Sequence, residues 1–136
     1  MKTATKAALQ LGIEQFNRRE FFECHETLEA LWMEEPGDVR KLYQGVLQVG
    51  VAFHHLLRGN YRGAVALLDR GVARLQPFAP ECLGIDVAGL IAGARRCRSE
   101  LVRVGPQRIG EFDRGLIPSV RYAALAPLRD SSVRSE

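Results

Sequence analysis

No CxxC pair occurs in this chain, and its three cysteines, Cys24, Cys82 and Cys97, are odd in number and widely spaced. That pattern excludes a disulfide framework and a cysteine-held zinc ion, and leaves the three as small core residues. Long apolar runs are missing as well. Every apolar stretch falls far short of the roughly 20 residues that cross a bilayer, and the opening MKTATKAALQLGIEQF is amphipathic without a cleavage signature. The expectation is a cytoplasmic protein with no membrane partner. A glycine-rich phosphate loop is absent, and no serine or cysteine stands beside a histidine in a recognisable nucleophile turn. Cys24 does adjoin His25, but on a helix their side chains diverge by about 100°.

What is present is an ordinary globular composition: 136 residues, 46% hydrophobic and 26% charged, enough for one domain with one core. The net charge of +3 hides an asymmetry, because residues 1–35 carry seven acids against four bases and the remainder fifteen bases against nine acids. Nucleic acid is the partner a basic segment would suggest. The arginines involved, among them Arg95, Arg96, Arg98 and Arg103, are interleaved with apolar residues rather than stacking aromatics, which reads as a solvated helix face. Nucleic acid is therefore not the expected partner.

Apolar residues recur at helical spacing throughout, and no stretch alternates long enough to make a strand, so the predicted class is all-α. A first helix is expected over residues 3–16. Asn17 with Glu20 is read as a capping pair opening a second helix that ends at the Pro36-Gly37 break. Asp38 is read as the cap of a third helix reaching Leu57 or Arg58, and Gly59-Asn60 as its stop and the next cap. A fourth helix spans Tyr61 to Gln76, and Asp86 opens a fifth that ends at Gly105-Pro106. A short helix is expected after Pro118. Short connections favour antiparallel neighbours, so the architecture is an up-and-down bundle of four to five helices: a single domain over residues 1–126, with 127–136 as a frayed tail. Gly45 and Gly50 inside the third helix are expected to mark close helix approach, which would offset their cost of about 1 kcal/mol each. An echo of Phe21, Cys24 and Leu28 in Tyr61, Ala64 and Leu68 has the look of a tetratricopeptide hairpin, but two imperfect copies are two amphipathic helices rather than a solenoid.

The chemically suggestive residues lie on the second and third helices. At about 100° per residue, Phe21, His25, Leu28 and Trp32 share a stripe with Glu29 at its edge, so His25 and Glu29 are expected to point inward, one turn apart. Glu26 lies farther round. On the third helix Gln44, Gln48 and His55 form a polar stripe along an apolar rod, with His54 about 100° away. A buried amide or imidazole needs a hydrogen-bond partner, so this stripe is expected to face the polar edge of the second helix. Imidazole nitrogen and carboxylate oxygen suit zinc, iron or manganese, and His25, Glu29 and His55 supply the three ligands of an open catalytic site. Glu26 is the candidate general base for metal-assisted hydrolysis; Gln44, Gln48, Trp32 and His54 line the site, with Trp32 expected to be a core plug. HETLE matches half of the zincin signature HExxH, with Glu29 where that motif has histidine.

FNRREFFECHETLEALW followed by YQGVLQVGVAFHHLLRGNYRGA resembles a small all-helical domain family of unknown function from bacteria, archaea and plants, catalogued as predicted metal-dependent hydrolases. The resemblance spans about residues 14–104. Its FxxHExxExxW motif falls on Phe22, His25, Glu26, Glu29 and Trp32, and its second motif on Gln44, Gly45, His55, Gly59 and Asn60, with His54 competing for the histidine position. It implies a helical bundle and a hydrolase label, itself inferred from such motifs.

The leading expectation is thus a metal-dependent hydrolase acting on a small molecule or protein. The alternative is a non-enzymatic interaction or scaffold module in which the His/Glu/Gln cluster is a buried structural hydrogen-bond network. A bundle with exposed aliphatic positions also allows a homo-oligomer.

Overall fold

The computed structural model describes residues 2–123, and residues 124–136, with the expected frayed tail among them, lie outside the described residues. Five helices carry the fold: α1 (Thr3–Asn17), α2 (Phe21–Glu34), α3 (Arg40–Leu57), α4 (Tyr61–Leu75) and α5 (Val87–Val104). Each packs chiefly on its neighbour in sequence, α1 on α2, α2 on α3, α3 on α4 and α4 on α5. The class is all-α. No helix among the described residues is long and apolar enough to cross a membrane.

The buried stripes follow the helical period. Phe21, Cys24, Leu28 and Leu31 form that of α2, and Leu42, Val46, Val49, Phe53 and Leu56 the central one of α3. At the junction of α1, α2 and α3 three rings interlock. Phe16 meets Phe21 edge-on at 5.3 Å between centroids and Phe53 edge-on at 6.1 Å, and Phe21 lies tilted on Phe53 at 5.8 Å. Helices α3 and α4 approach each other closely. A Cβ on Gly45 would stand 2.7 Å from Leu75 Cδ2, and one on Gly71 would stand 2.6 Å from Val49 Cγ2 and 3.2 Å from the Gly45 carbonyl oxygen. Gly45 therefore does what its position predicted. Gly50 does not, since a Cβ there would meet only Phe16 and Phe21 at ordinary contact of 3.5–3.6 Å.

Two expected caps are corrected. Asn17 ends α1 instead of opening α2; its amide nitrogen donates to the Val120 carbonyl at 3.0 Å, and its Oδ1 accepts from Val120 N–H at 2.7 Å. Asp38 precedes an N-cap at Val39 that has no side-chain cap, and it enters the turn through its carbonyl, which accepts from Lys41 N–H at 3.0 Å. Asn60 and Asp86 do cap, accepting from Gly63 N–H at 3.0 Å and Gly89 N–H at 2.9 Å. Removing the α5 cap with Asp86→Ala should cost about 1 kcal/mol in chemical denaturation.

The stretch between α4 and α5 contains a hairpin that periodicity missed: β1 (Glu81–Cys82) and β2 (Ile85–Asp86), antiparallel, with Glu81 opposite Asp86. Its turn places Leu83 at φ 52° and Gly84 at φ 80°, the left-handed pair that a two-residue hairpin turn requires. Strands of two residues are too short to alternate visibly. Residues 119–123 are likewise outside any helix, the rest of the segment expected to be helical lies outside the described residues, and this stretch adds to the hairpin: Asp86 N–H donates to the Arg121 carbonyl at 2.8 Å, and Ala123 N–H to that of Gly84 at 2.7 Å. Two 3-10 segments, Pro106–Glu111 and Arg114–Leu116, bring the chain there.

Cys24 and Cys97 are fully buried, and burial pushes both thiols up from an ordinary 9.0 to about 12. Cys82 is only half-buried. Iodoacetamide at pH 8 should therefore label Cys82 in the native protein and all three cysteines after denaturation, as counted by mass spectrometry. The two buried thiols stabilise the fold fully below the unfolded value near 9, and that contribution is lost as pH rises toward 12. The denaturation midpoint should accordingly fall above pH 9.

Candidate metal centre

Helix α2 begins at Phe21, locked into the aromatic junction, so His25 lies one turn above the anchored end. Because the buried stripe runs through Cys24 and Leu31, its centre is rotated away from His25, which sits on the flank with 32% of its side chain exposed. The side chains of Glu29 and Glu26 are 46% and 61% exposed. The expectation that His25 and Glu29 point into the core is thus corrected: the stripe was centred too far toward them, and the group lies at the surface. The same exposures rule out a buried structural network.

His25, Glu26 and Glu29 nevertheless converge, each offering a ligand atom within 4.8 Å of the others. The two imidazole nitrogens face different acids: Nδ1 is 3.5 Å from Glu26 Oε2, and Nε2 is 3.9 Å from Glu29 Oε2. A proton on Nδ1 directed at Glu26 leaves the Nε2 lone pair on the Glu29 side. A tetrahedral ion with bonds of about 2.1 Å needs ligand atoms about 3.4 Å apart, a rotamer adjustment of a few tenths of an ångström from the distance observed. The donor set fits a divalent cation.

His55 stands apart from this group. It lies in the last turn of α3, and its Nδ1 is 3.1 Å from Asn60 Nδ2, while Asn60 Oδ1 caps α4. The amide nitrogen can only donate, so His55 Nδ1 accepts, and the neutral ring then carries its proton on Nε2. Neither nitrogen is left with a free lone pair. Gly63 is part of this corner, since a Cβ there would come within 2.9 Å of the His55 ring. His54 is half-buried, its ring 6.2 Å from that of His55.

The expected bridge between helices is not formed. Among the described residues no hydrogen bond joins Gln44, Gln48 or His55 to His25, Glu26 or Glu29, and the Gln48 Oε1 is buried without a partner. Trp32 is partly buried, with the Arg40 guanidinium 4.7 Å from its ring centroid, so it secures the start of α3 against α2. One buried polar residue escaped the sequence patterns altogether: Tyr43, 1% exposed, with an unpartnered hydroxyl. Tyrosine reads as a core residue at that position, and nothing in its spacing flags the hydroxyl.

The basic second part is partly self-neutralised. Arg98 pairs with Asp69 at 2.6 Å, Arg103 with Glu100 at 2.7 Å and Arg108 with Glu111 at 2.9 Å.

With this geometry established, comparison with known proteins gives two matches. Residues 9–67 match the family model described as "Domain of unknown function (DUF309)", which takes in both sets of motif residues but ends short of residue 104. Over 89 residues the chain is 39% identical to the "Uncharacterized protein YpuF" of Bacillus subtilis (strain 168), covering 63% of this chain and 51% of that protein. The chain therefore spans about half the length of the curated relative it matches. No solved structure matches.

Proposed function

We propose that this chain, similar over its first half to a family of unknown function, binds a divalent metal ion on the face of α2 through His25 Nε2 and Glu29. Glu26 holds the imidazole in the required tautomer. The observation that supports this reading is the division of the His25 ring, with one carboxylate beside each nitrogen. A carboxylate at Nδ1 orients a histidine and makes its other nitrogen a better ligand. His55 is left out of the ligand set because its Nδ1 is held by Asn60.

Two protein ligands and an exposed setting leave most of the coordination sphere to water and substrate. Bound there, zinc, iron or manganese would supply Lewis acidity and activate water, which is the chemistry of metal-assisted hydrolysis. Glu26, on the Nδ1 side of the ring, orients the histidine rather than reaching that water, so the proton would pass to solvent at this exposed site. The substrate would be a small molecule or a protein reaching the site from solvent.

Elemental analysis of the untagged chain, with titration of zinc and manganese into metal-free protein, tests the proposal. One ion per chain is expected, lost in folded His25→Ala and retained in His55→Ala. Wild-type protein that takes up no metal, or a His25→Ala variant that keeps it, would overturn the reading.

A second reading has its own observation. Phe22 and Met33 are 60% and 69% exposed and lie on the same stripe of α2 as Glu26 and Glu29. An apolar residue at each end of an acidic strip is a feature of a protein-docking helix, and on this reading the chain is an interaction module.

A further inference from the structure

A cleft of about 640 Å³ opens where the start of α1, the end of α2 and the start of α3 meet. Leu31, Pro36 and Val39 give it apolar walls; Glu34, Glu35, Tyr43 and Thr5 carry its side-chain acceptors, with Lys2 also on its lining. None of the His25, Glu26 and Glu29 group lines it.

Three observations bear on what would occupy it. Tyr43 is 1% exposed and its hydroxyl has no hydrogen-bond partner, a cost of about 1–3 kcal/mol that a suitable ligand would remove. The two glutamates stand at the C-terminal end of α2, whose last turn contains no basic residue. A helix C-terminus already carries negative partial charge, and a cation near it, Arg40, lies at the Trp32 carbonyl at 3.5 Å and forms no ion pair with Glu34 or Glu35 among the described residues, so both acids are unfavourably placed there unless a further cation joins them. Finally, Lys2 forms no ion pair within 4.0 Å among the described residues, so the chain's own nearby ammonium does not neutralise the pair.

We propose that this cleft binds a primary amine with a short aliphatic body, its ammonium shared between the Glu34 and Glu35 carboxylates and the Tyr43 hydroxyl oxygen. The apolar walls take the alkyl chain. Glu35 is already steadied for the task, since its Oε2 accepts from Gly37 N–H at 3.1 Å and leaves Oε1 for the ligand. Burial, and then the charge of Glu35, pushes the Tyr43 phenol above its ordinary ionisation range, so it stays a neutral hydroxyl able to accept from the ammonium. The contact requires lining side chains to move aside, because the hydroxyl is sealed from bulk water. Other ligand classes fit less well. An anion would face two carboxylates against one lysine, and a wholly apolar ligand would leave the hydroxyl unsatisfied.

The test is an amide NMR titration of the full chain with n-butylammonium chloride at constant ionic strength, compared with n-butanol and sodium butyrate. Saturable shifts confined to Lys2–Thr5, Leu31–Val39 and Tyr43 are expected with the amine alone. Tyr43→Phe, which keeps the ring, should retain the wild-type melting temperature or exceed it and weaken amine binding about tenfold, the effect of one charge-assisted hydrogen bond. Glu34→Gln, at an exposed position, should weaken it similarly, and Lys2→Gln should tighten it. Absence of saturable amine binding, equal response to butanol or butyrate, or undiminished binding in both Tyr43→Phe and Glu34→Gln would overturn the proposal. Because no variant touches His25, Glu26 or Glu29, metal content reports separately on the site on α2.

Discussion

Phe53→Ala is expected to destabilise the protein by about 3–5 kcal/mol, the range for deleting a buried aromatic side chain. Phe53 is 0% exposed and contacts the rings of both Phe16 and Phe21, so its loss leaves a cavity bordered by three helices. The surrounding rings cannot all collapse into that space, because Phe16, in the last turn of α1, and Phe21, the first residue of α2, are tethered on either side of a three-residue connection. A domain with a total stability of about 5–15 kcal/mol would come close to unfolding. Chemical denaturation followed by circular dichroism measures the loss, with Phe22→Ala as the control. Phe22 is 60% exposed and its removal should stay within about 0.5 kcal/mol. Equal losses for the two would show that the aromatic junction does not hold the helices together. The junction also matters for the proposed site, since it fixes the end of α2 from which His25 projects.

His25→Ala is expected to weaken divalent-metal binding by at least about 100-fold. Disturbing a carboxylate that merely orients a ligating histidine costs about 10–100-fold, and loss of the ligand itself should exceed that. Glu26→Gln should therefore fall in the lower range and Glu29→Gln above it. His55→Ala should leave affinity unchanged, because that ring is engaged with Asn60 on a different helix corner. Thermal shift gives an independent readout: metal at about 100 times its Kd should stabilise the wild-type protein by about 2.7 kcal/mol, and His25→Ala should show no such gain. A graded series in which Glu26→Gln is as damaging as His25→Ala would make Glu26 a ligand instead of an orienting group. A series in which His55→Ala matches His25→Ala would restore the bridging site that the sequence suggested.

The sequence alone settled a good deal about the fold. Helix periods, the Pro36-Gly37 and Gly59-Asn60 breaks and the caps at Asn60 and Asp86 were legible because each is a local property, decided within one or two turns of chain. The grouping of His25, Glu26 and Glu29 was legible for the same reason, since residues at i, i+1 and i+4 of one helix are neighbours whatever that helix packs against. Only the tertiary structure decided how α2 is rotated. That rotation depends on which of several apolar residues finds the deepest partners, and the burial of Cys24 and Leu31 turned His25 and Glu29 from the core to the flank. It also decided the fates of Asn17 and His55, which were drawn to Val120 and Asn60 by hydrogen bonds that helical periodicity does not encode. The cleft at Tyr43 belongs to the same class: three segment ends that are unremarkable in sequence become a site only where packing brings them together around a hydroxyl left without a partner.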